Sequence, residues 1–349
     1  MLQSSRGISP LNWQLFINEA LRRRKTEKLT QKEHAALAGV SIPTIAAFER
    51  RDMTLSLAKA FDILRVVGLI EETKEEDVQD GFVRQSFTRW QKLSNQLPEN
   101  APGRFLHGWY QFDYYLEGDL KSVDLKAFEK ILELANKTTY TGWPPFLVIT
   151  NRESNFRPEA VEGMLECWLQ PKKDGFPLPY YKDVATCDFW RADPNGRMFL
   201  IRGYQEDSAE TFSAGSVFDN ILPIWRMGEV LLHAEQLASL LQKSSKSSIM
   251  LHFRAIYNGL SGRVLRSWSN PLNSIFFEQG AGAAKNNEAV LQAIIPIEDI
   301  SSRLAEHIYP IVTSLYERFG IAELSRTFVD RQIAELISRR SDKSLDIFY

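Results

Sequence analysis

Residues 29–49 read LTQKEHAALAGVSIPTIAAFE. The stretch predicts two short helices with a sharp turn between them. Thr30 is a natural N-cap and Glu33 stands three residues on, a capping box in which each side chain satisfies the other's orphan backbone N–H. Gly39 ends the first helix, because only a residue tolerant of positive φ closes a helix so abruptly. Val40 drops between the helices, and Ser41 caps a second helix from about Ile42 to Glu49. Ile45 and Phe48, three apart, mark that helix's inward face.

This is a helix-turn-helix. Thr30, Gln31, Ala35, Gly39, Val40, Ser41, Ile45 and Glu49 fall at the offsets by which it resembles the phage-repressor class (Cro/cI-like, or XRE family). His34 departs from the pattern, since that family usually places a buried Leu there. The resemblance covers roughly residues 11–70. It implies a DNA-binding domain with a four-helix core, whose second short helix reads the duplex.

The flanks agree with it. Ser9-Pro10 opens a helix, with Ser as N-cap and Pro at the first position. Trp13, Phe16, Ile17, Ala20 and Leu21 follow as an apolar stripe. Arg22, Arg23, Arg24 and Lys25 end that helix, where cations suit the helix dipole and equally suit phosphate. A further helix starts near Ser56, with Leu57, Ala60, Phe61 and Leu64 on one face. Residues 11–70 carry ten Lys or Arg and six Asp or Glu, 10 − 6 = +4, whereas Glu71 to Asp80 carry six acids and one Lys, 1 − 6 = −5. That reversal marks a boundary.

The expected DNA-reading surface is Ile42, Pro43, Thr44, Ala46 and Ala47, pointing outward from the second short helix. Apolar and small side chains touch thymine methyl groups, and Thr44 can donate to a base or a phosphate. Ser41 and Gln31 stand at helix N-termini, where phosphates are met. Arg23, Arg24, Lys25, Arg50 and Arg51 complete the set as phosphate contacts.

A net charge of −2 over 349 residues requires any DNA contact to come from a local patch. Two cysteines, Cys167 and Cys187, build no disulfide framework and fit a reducing cytoplasm. The first ten residues lack a signal-peptide apolar core, and no apolar run reaches the roughly 20 residues that span a bilayer.

The rest of the chain predicts a different domain. NQLPENAPG reads as a loop after an amphipathic connecting helix, Phe82 to Leu97. Helices are expected around Leu125–Leu134, Asn220–Gln242, Ile300–Phe319 (bent at Pro310) and Ile321–Ser338. Strands are expected at 145–149, 161–169, 185–192, 197–204, 249–260, 263–270 and 289–297. DPNG, Asp193 to Gly196, is a hairpin signal, and Ser261-Gly262 is read as another turn. The irregular order predicts an α+β domain with a mostly antiparallel sheet. The stretches TGWPPF, SVFDNILPIWRMGEVLLHAE and GLSGRVLRSWSNP loosely resemble regions attached to bacterial Schlafen/AlbA-type DNA-binding proteins, without implying an activity.

Other chemistries find little support. The five histidines follow no metal-ligand spacing, and the cysteines read as core thiols. GAGAA, Gly280 to Ala284, lacks a P-loop's Lys-Ser/Thr. Glu159, Glu162, Glu166, Asp188, Asp193, Glu206 and Asp207 read as solvated strand faces. The expected organisation is 1–72 as the DNA-binding domain, 73–103 as acidic linker and connecting helix, and 104–349 as a sensor or assembly domain. The expected protein is a cytoplasmic bacterial or phage-type, repressor-like regulator of double-stranded DNA, not an enzyme, with no cofactor or metal. It works as a homodimer with a small-molecule or protein effector, and part of the last two helices is shared between subunits. The competing classes are an antitoxin-type or defence-associated interaction protein, and an enzyme acting on nucleic acid or nucleotide.

Overall fold

The computed structural model describes residues 13–52, 55–69, 78–148, 157–169, 183–244, 247–269 and 282–341. The chain divides into two compact units, Met1–Asp77 and Val78–Tyr349.

The smaller unit is helical. It comprises α1 (Trp13–Thr26), α2 (Gln31–Leu37), α3 (Ile42–Glu49) and α4 (Leu57–Val66). The capping box forms as predicted: the Thr30 hydroxyl accepts from the Glu33 N–H and the Glu33 carboxylate accepts from the Thr30 N–H. Gly39 closes α2 at φ 63°. Ile17, Ala20, Ala35, Ile45, Phe48, Ala60, Ile63 and Leu64 fill the core, and Trp13 meets Phe48 edge to face at 5.7 Å. Phe61, expected inward, is 36% exposed; Ile63 takes the inward place. His34 is buried like the Leu it replaces, and its Nε2 lies 2.9 Å from the Ile63 carbonyl, tying α2 to α4. Ser9 and Pro10 lie outside the described residues.

The larger unit opens with α5 (Val78–Ser94). Rather than only connecting, this helix packs Phe82, Val83 and Trp90 onto a sheet face made of Phe189, Phe199 and Ile201. The sheet contains β1 (Trp109–Gly118), β2 (Glu159–Val161), β3 (Met164–Trp168), β4 (Phe189–Asp193), β5 (Arg197–Gly203), β7 (Ile249–Asn258) and β9 (Glu288–Pro296). Their order is β2-β3-β4-β5-β1-β7-β9, antiparallel throughout. This matches the expected antiparallel α+β class. Two short strands, β6 (Val217–Asp219) and β8 (Val264–Arg266), pair in parallel apart from it.

Several expected elements differ. The run at 145–149 is irregular through 148, with Phe146 at φ 54° and fully buried. Residues 161–169 are split by a tight turn at Glu162 and Gly163, both with positive φ, as a two-residue hairpin requires. The 185–192 strand begins only at Phe189, after a 3-10 turn at Val184–Thr186. The Ser261-Gly262 turn carries the chain to the small parallel pair instead of folding it back on β7. DPNG does make its hairpin, with Asp193 opposite Arg197.

The other face of the sheet is covered by α6 (Leu125–Ala135) and α7 (Leu222–Leu241), backed by α8 (Leu304–Tyr316) and α9 (Arg326–Ser338). Helix α7 is buried on nearly every side, the mark of a central helix. A Cβ at its Gly228 would stand 2.7 Å from Leu336, so the glycine lets α9 approach. Pro310 lies inside α8. The stripe Leu304, Ile308, Ile311, Val312, Leu315 and Phe319 is spent in this core, as are Phe328, Ile333 and Leu336. Of the apolar positions expected to be shared between subunits, only Ile337, 40% exposed, and the partly buried Ile321 lie outside this core.

Of the acids expected on solvated strand faces, Glu159 and Glu162 are exposed as expected and Asp193 and Asp207 are half-buried, but three are interior. Glu166, Asp188 and Glu206 are at most 7% exposed. Glu166 binds Arg89 of α5 and Arg191. Asp207 binds Arg263 at 2.6 Å. Asp188 holds Arg202 through both carboxylate oxygens and also accepts from Trp143. Arg202 is itself 1% exposed, and its remaining donors meet the Pro144 carbonyl and the Tyr110 hydroxyl. Buried charge persists only when paired and hydrogen-bonded in this way. Of the GAGAA segment, Gly280 and Ala281 lie outside the described residues; Ala283 bridges to Val264.

Candidate nucleic-acid interface

Helix α3 is fixed by two anchors. Ile45 is fully buried and Phe48 nearly so, which turns the opposite side of the helix outward. Ser41, Ile42 and Pro43 are exposed, and Thr44, Ala46 and Ala47 are half-buried. Of the predicted reading set, Ile42 and Pro43 are thus fully open at the start of α3, and Thr44, Ala46 and Ala47 are half open.

The polar groups at that end bind one another. Ser41 Oγ accepts the Thr44 N–H at 3.3 Å and lies 2.8 Å from the Thr44 hydroxyl. Ser41 is thus a cap first, and the hydroxyl pair forms a short polar spot beside exposed Ile42 and Pro43. Gln31, predicted to meet phosphate, gives its side-chain amide to Glu49 at 2.6 Å. Glu49 also pairs with Arg24 at 2.9 Å. This Arg24–Glu49–Gln31 chain links the ends of α1 and α3 and the start of α2.

The predicted phosphate cations separate accordingly. Arg24 is occupied by Glu49 and by the Leu29 carbonyl. Arg23 binds Glu19 and caps the end of α4 through the Val67 and Gly68 carbonyls. Both therefore serve as structural clamps within the unit, Arg24 with its side chain 13% exposed and Arg23 with its side chain 38% exposed. Arg51 sits at φ 67°, where its backbone ends α3, and its guanidinium meets Asn18 of α1. Lys25 and Arg50 stay exposed, as do Lys28 and Lys32, two cations outside the predicted set. Their signal was present: both flank the α2 N-terminus, where a dipole and nearby cations meet an anion.

These assignments separate by experiment. Arg24→Ala is expected to cost about 1.5–3 kcal/mol of stability, the range for a hydrogen bond to a charged group. Lys25→Ala should leave stability within about 0.5 kcal/mol and weaken DNA binding equally on all sequences. Urea melts and gel shifts of the two variants read this out; equal melts would return Arg24 to the surface set.

A helix-turn-helix family model, HTH_3, matches residues 21–72. These residues are a helix-turn-helix DNA-binding domain of the XRE type. No curated protein and no solved structure matches the chain. The loose Schlafen/AlbA resemblance of the larger unit gains no support from these comparisons. No helix among the described residues is long and apolar enough to cross a membrane.

Proposed function

We propose that this chain is a repressor-like transcriptional regulator. The smaller unit reads double-stranded DNA through α3, and the larger unit senses an effector; the protein acts as a homodimer and carries out no catalysis of its own. The observation that carries the reading is the start of α3. Two core residues, Ile45 and Phe48, hold a helix whose Ile42, Pro43 and Thr44 are spent on no interior packing beyond the cap. That surface suits thymine methyl contact and a single hydroxyl donor. Pairing supports specificity, because one short helix meets few base pairs, and two α3 helices would then sit about 34 Å apart on the duplex.

The test is Thr44→Ala after selection of a preferred duplex from random sequences. Discrimination at the selected site should fall by about 1–3 kcal/mol, with affinity for random DNA nearly unchanged. Preserved discrimination would show that α3 is not the reading helix.

A further inference from the structure

Strand β9 ends the row of the large sheet, and among the described residues no strand pairs with its outer edge. It runs for nine residues, Glu288–Pro296, in unbroken register with β7 and without a bulge. Its one charge, Glu288, opens it and its one proline, Pro296, closes it; the residues between, AVLQAII, include neither. Ala289, Leu291 and Ile295 are buried in the main core. On the opposite face Val290, Gln292 and Ile294 are exposed, Ile294 at 63% and Val290 at 47%.

An open edge presents unpaired N–H and C=O groups that recruit other strands, so natural edges are blunted by shortness, charge, proline or a bulge. The opposite edge of this sheet follows that rule: β2 has three residues and starts at the exposed Glu159. β9 has none of these devices inside its length. A long, uncharged edge with an exposed Val and Ile calls for a cover.

The sequence of β9 is complementary to itself. Two antiparallel copies aligned over all nine residues place Gln292 on the two-fold axis. Val290 of each copy then faces Ile294 of the other, Ala289 faces Ile295, Leu291 faces Ala293 and Glu288 faces Pro296. On the core face each large side chain meets an alanine. On the outer face apolar meets apolar around a central pair of amides, which can hydrogen-bond to each other. No like charges meet. An interface between identical surfaces demands this self-complementarity, and directly opposed side chains are the unit that stabilises a sheet.

We propose that a second copy of this chain docks on β9, joining the two seven-stranded sheets edge to edge across Gln292. Backbone hydrogen bonds between the two strands supply the affinity. The register is fixed because a slip of one residue would turn the buried set outward. Pro296, which has no N–H to donate, and the charged Glu288 stop the pairing at its ends. The proposal gives the homodimer reading above its interface, and it rests on that reading.

The experiment is sedimentation velocity of the full-length chain at micromolar concentration without DNA, where a dimer is expected. Gln292→Lys sets two cations directly opposite each other, each beside its own Arg254, and like charges so placed are destabilising. The dimer dissociation constant should rise at least tenfold. Position 292 is exposed, so the variant should keep the natural circular dichroism spectrum. An excess of unlabelled Gln292→Glu chain should draw fluorophore-labelled Gln292→Lys chain back into a dimer, because a two-fold axis at this residue brings the opposite charges together. A natural dimer that Gln292→Lys leaves intact, or a Gln292→Lys chain that the Gln292→Glu chain fails to recover, overturns the β9 interface and leaves the homodimer reading standing. A monomeric natural chain overturns both.

Discussion

Asp188→Ala is expected to destabilise the larger unit by about 3–5 kcal/mol, the cost of stranding a buried charge. The stranded group is Arg202, which is 1% exposed and held at two donors by Asp188. Its remaining contacts, the Pro144 carbonyl and the Tyr110 hydroxyl, lie at 3.3 and 3.5 Å and replace little of a carboxylate. The double change Asp188→Ala with Arg202→Met removes both charges and should recover much of the loss, because a buried pair exchanged for apolar packing is often nearly neutral. Denaturation followed by tryptophan fluorescence reports the larger unit, since seven of the eight Trp residues lie in it and only Trp13 does not. A loss under about 1 kcal/mol for the single variant would show that Arg202 finds water or another partner.

Glu206→Gln should act in the opposite direction, with an effect that grows as pH rises above 4.5. The ordinary value of this acid is 4.5, and burial raises it to about 8 in the folded chain. Below 4.5 both folded and unfolded chains hold the proton, so the group costs nothing. Between 4.5 and about 8 the unfolded chain ionises first, and stability falls as pH rises. Above about 8 the penalty is complete, on the order of 5 kcal/mol at about 1.4 kcal/mol for each tenfold change in proton affinity. The Gln variant keeps the shape and the Asp219 N–H contact without the charge. It should match the natural chain near pH 4 and exceed it by several kcal/mol near pH 9, with no ligand present. Parallel unfolding curves at the two pH values measure this, and an equal gap at both would assign the effect to packing.

The smaller unit was legible because its signals are local. Thr30, Glu33, Gly39 and Ser41 each act on backbone groups within a turn of themselves, and all four do what their spacing predicts. The fates of Arg23 and Arg24 were not legible, since the groups that occupy them, Val67, Gly68 and Glu49, are brought near only by folding.

In the larger unit the reading lost the central strand. β1, WYQFDYYLEG, is buried on both faces from Tyr110 to Tyr114, so it lacks the polar alternation that marks a half-exposed strand. The run PFLVI carries strong strand composition yet turns at Phe146 to pack in the core. The acids Glu166, Asp188 and Glu206 looked solvated because their partners or neighbours, Arg89, Arg202 and Asp219, lie 13 to 77 residues away. The aromatic cluster of Tyr110, Tyr204, Phe218 and Tyr257 is assembled from β1, the turn after β5, β6 and β7, so no short window of sequence contains it.

The most direct test of the account is the salt dependence of DNA binding by the full-length chain, by fluorescence anisotropy on a duplex of its preferred sequence. The positive charge of residues 11–70 is set against −6 in the remainder (−2 − 4). The exposed cations Lys25, Lys28, Lys32 and Arg50 are the expected phosphate contacts. The log of affinity should fall linearly with log salt, by about 0.9 for each phosphate neutralised and so by about 3 to 4 for each bound chain. A slope near zero would contradict the assignment of residues 21–72 as a surface that binds DNA.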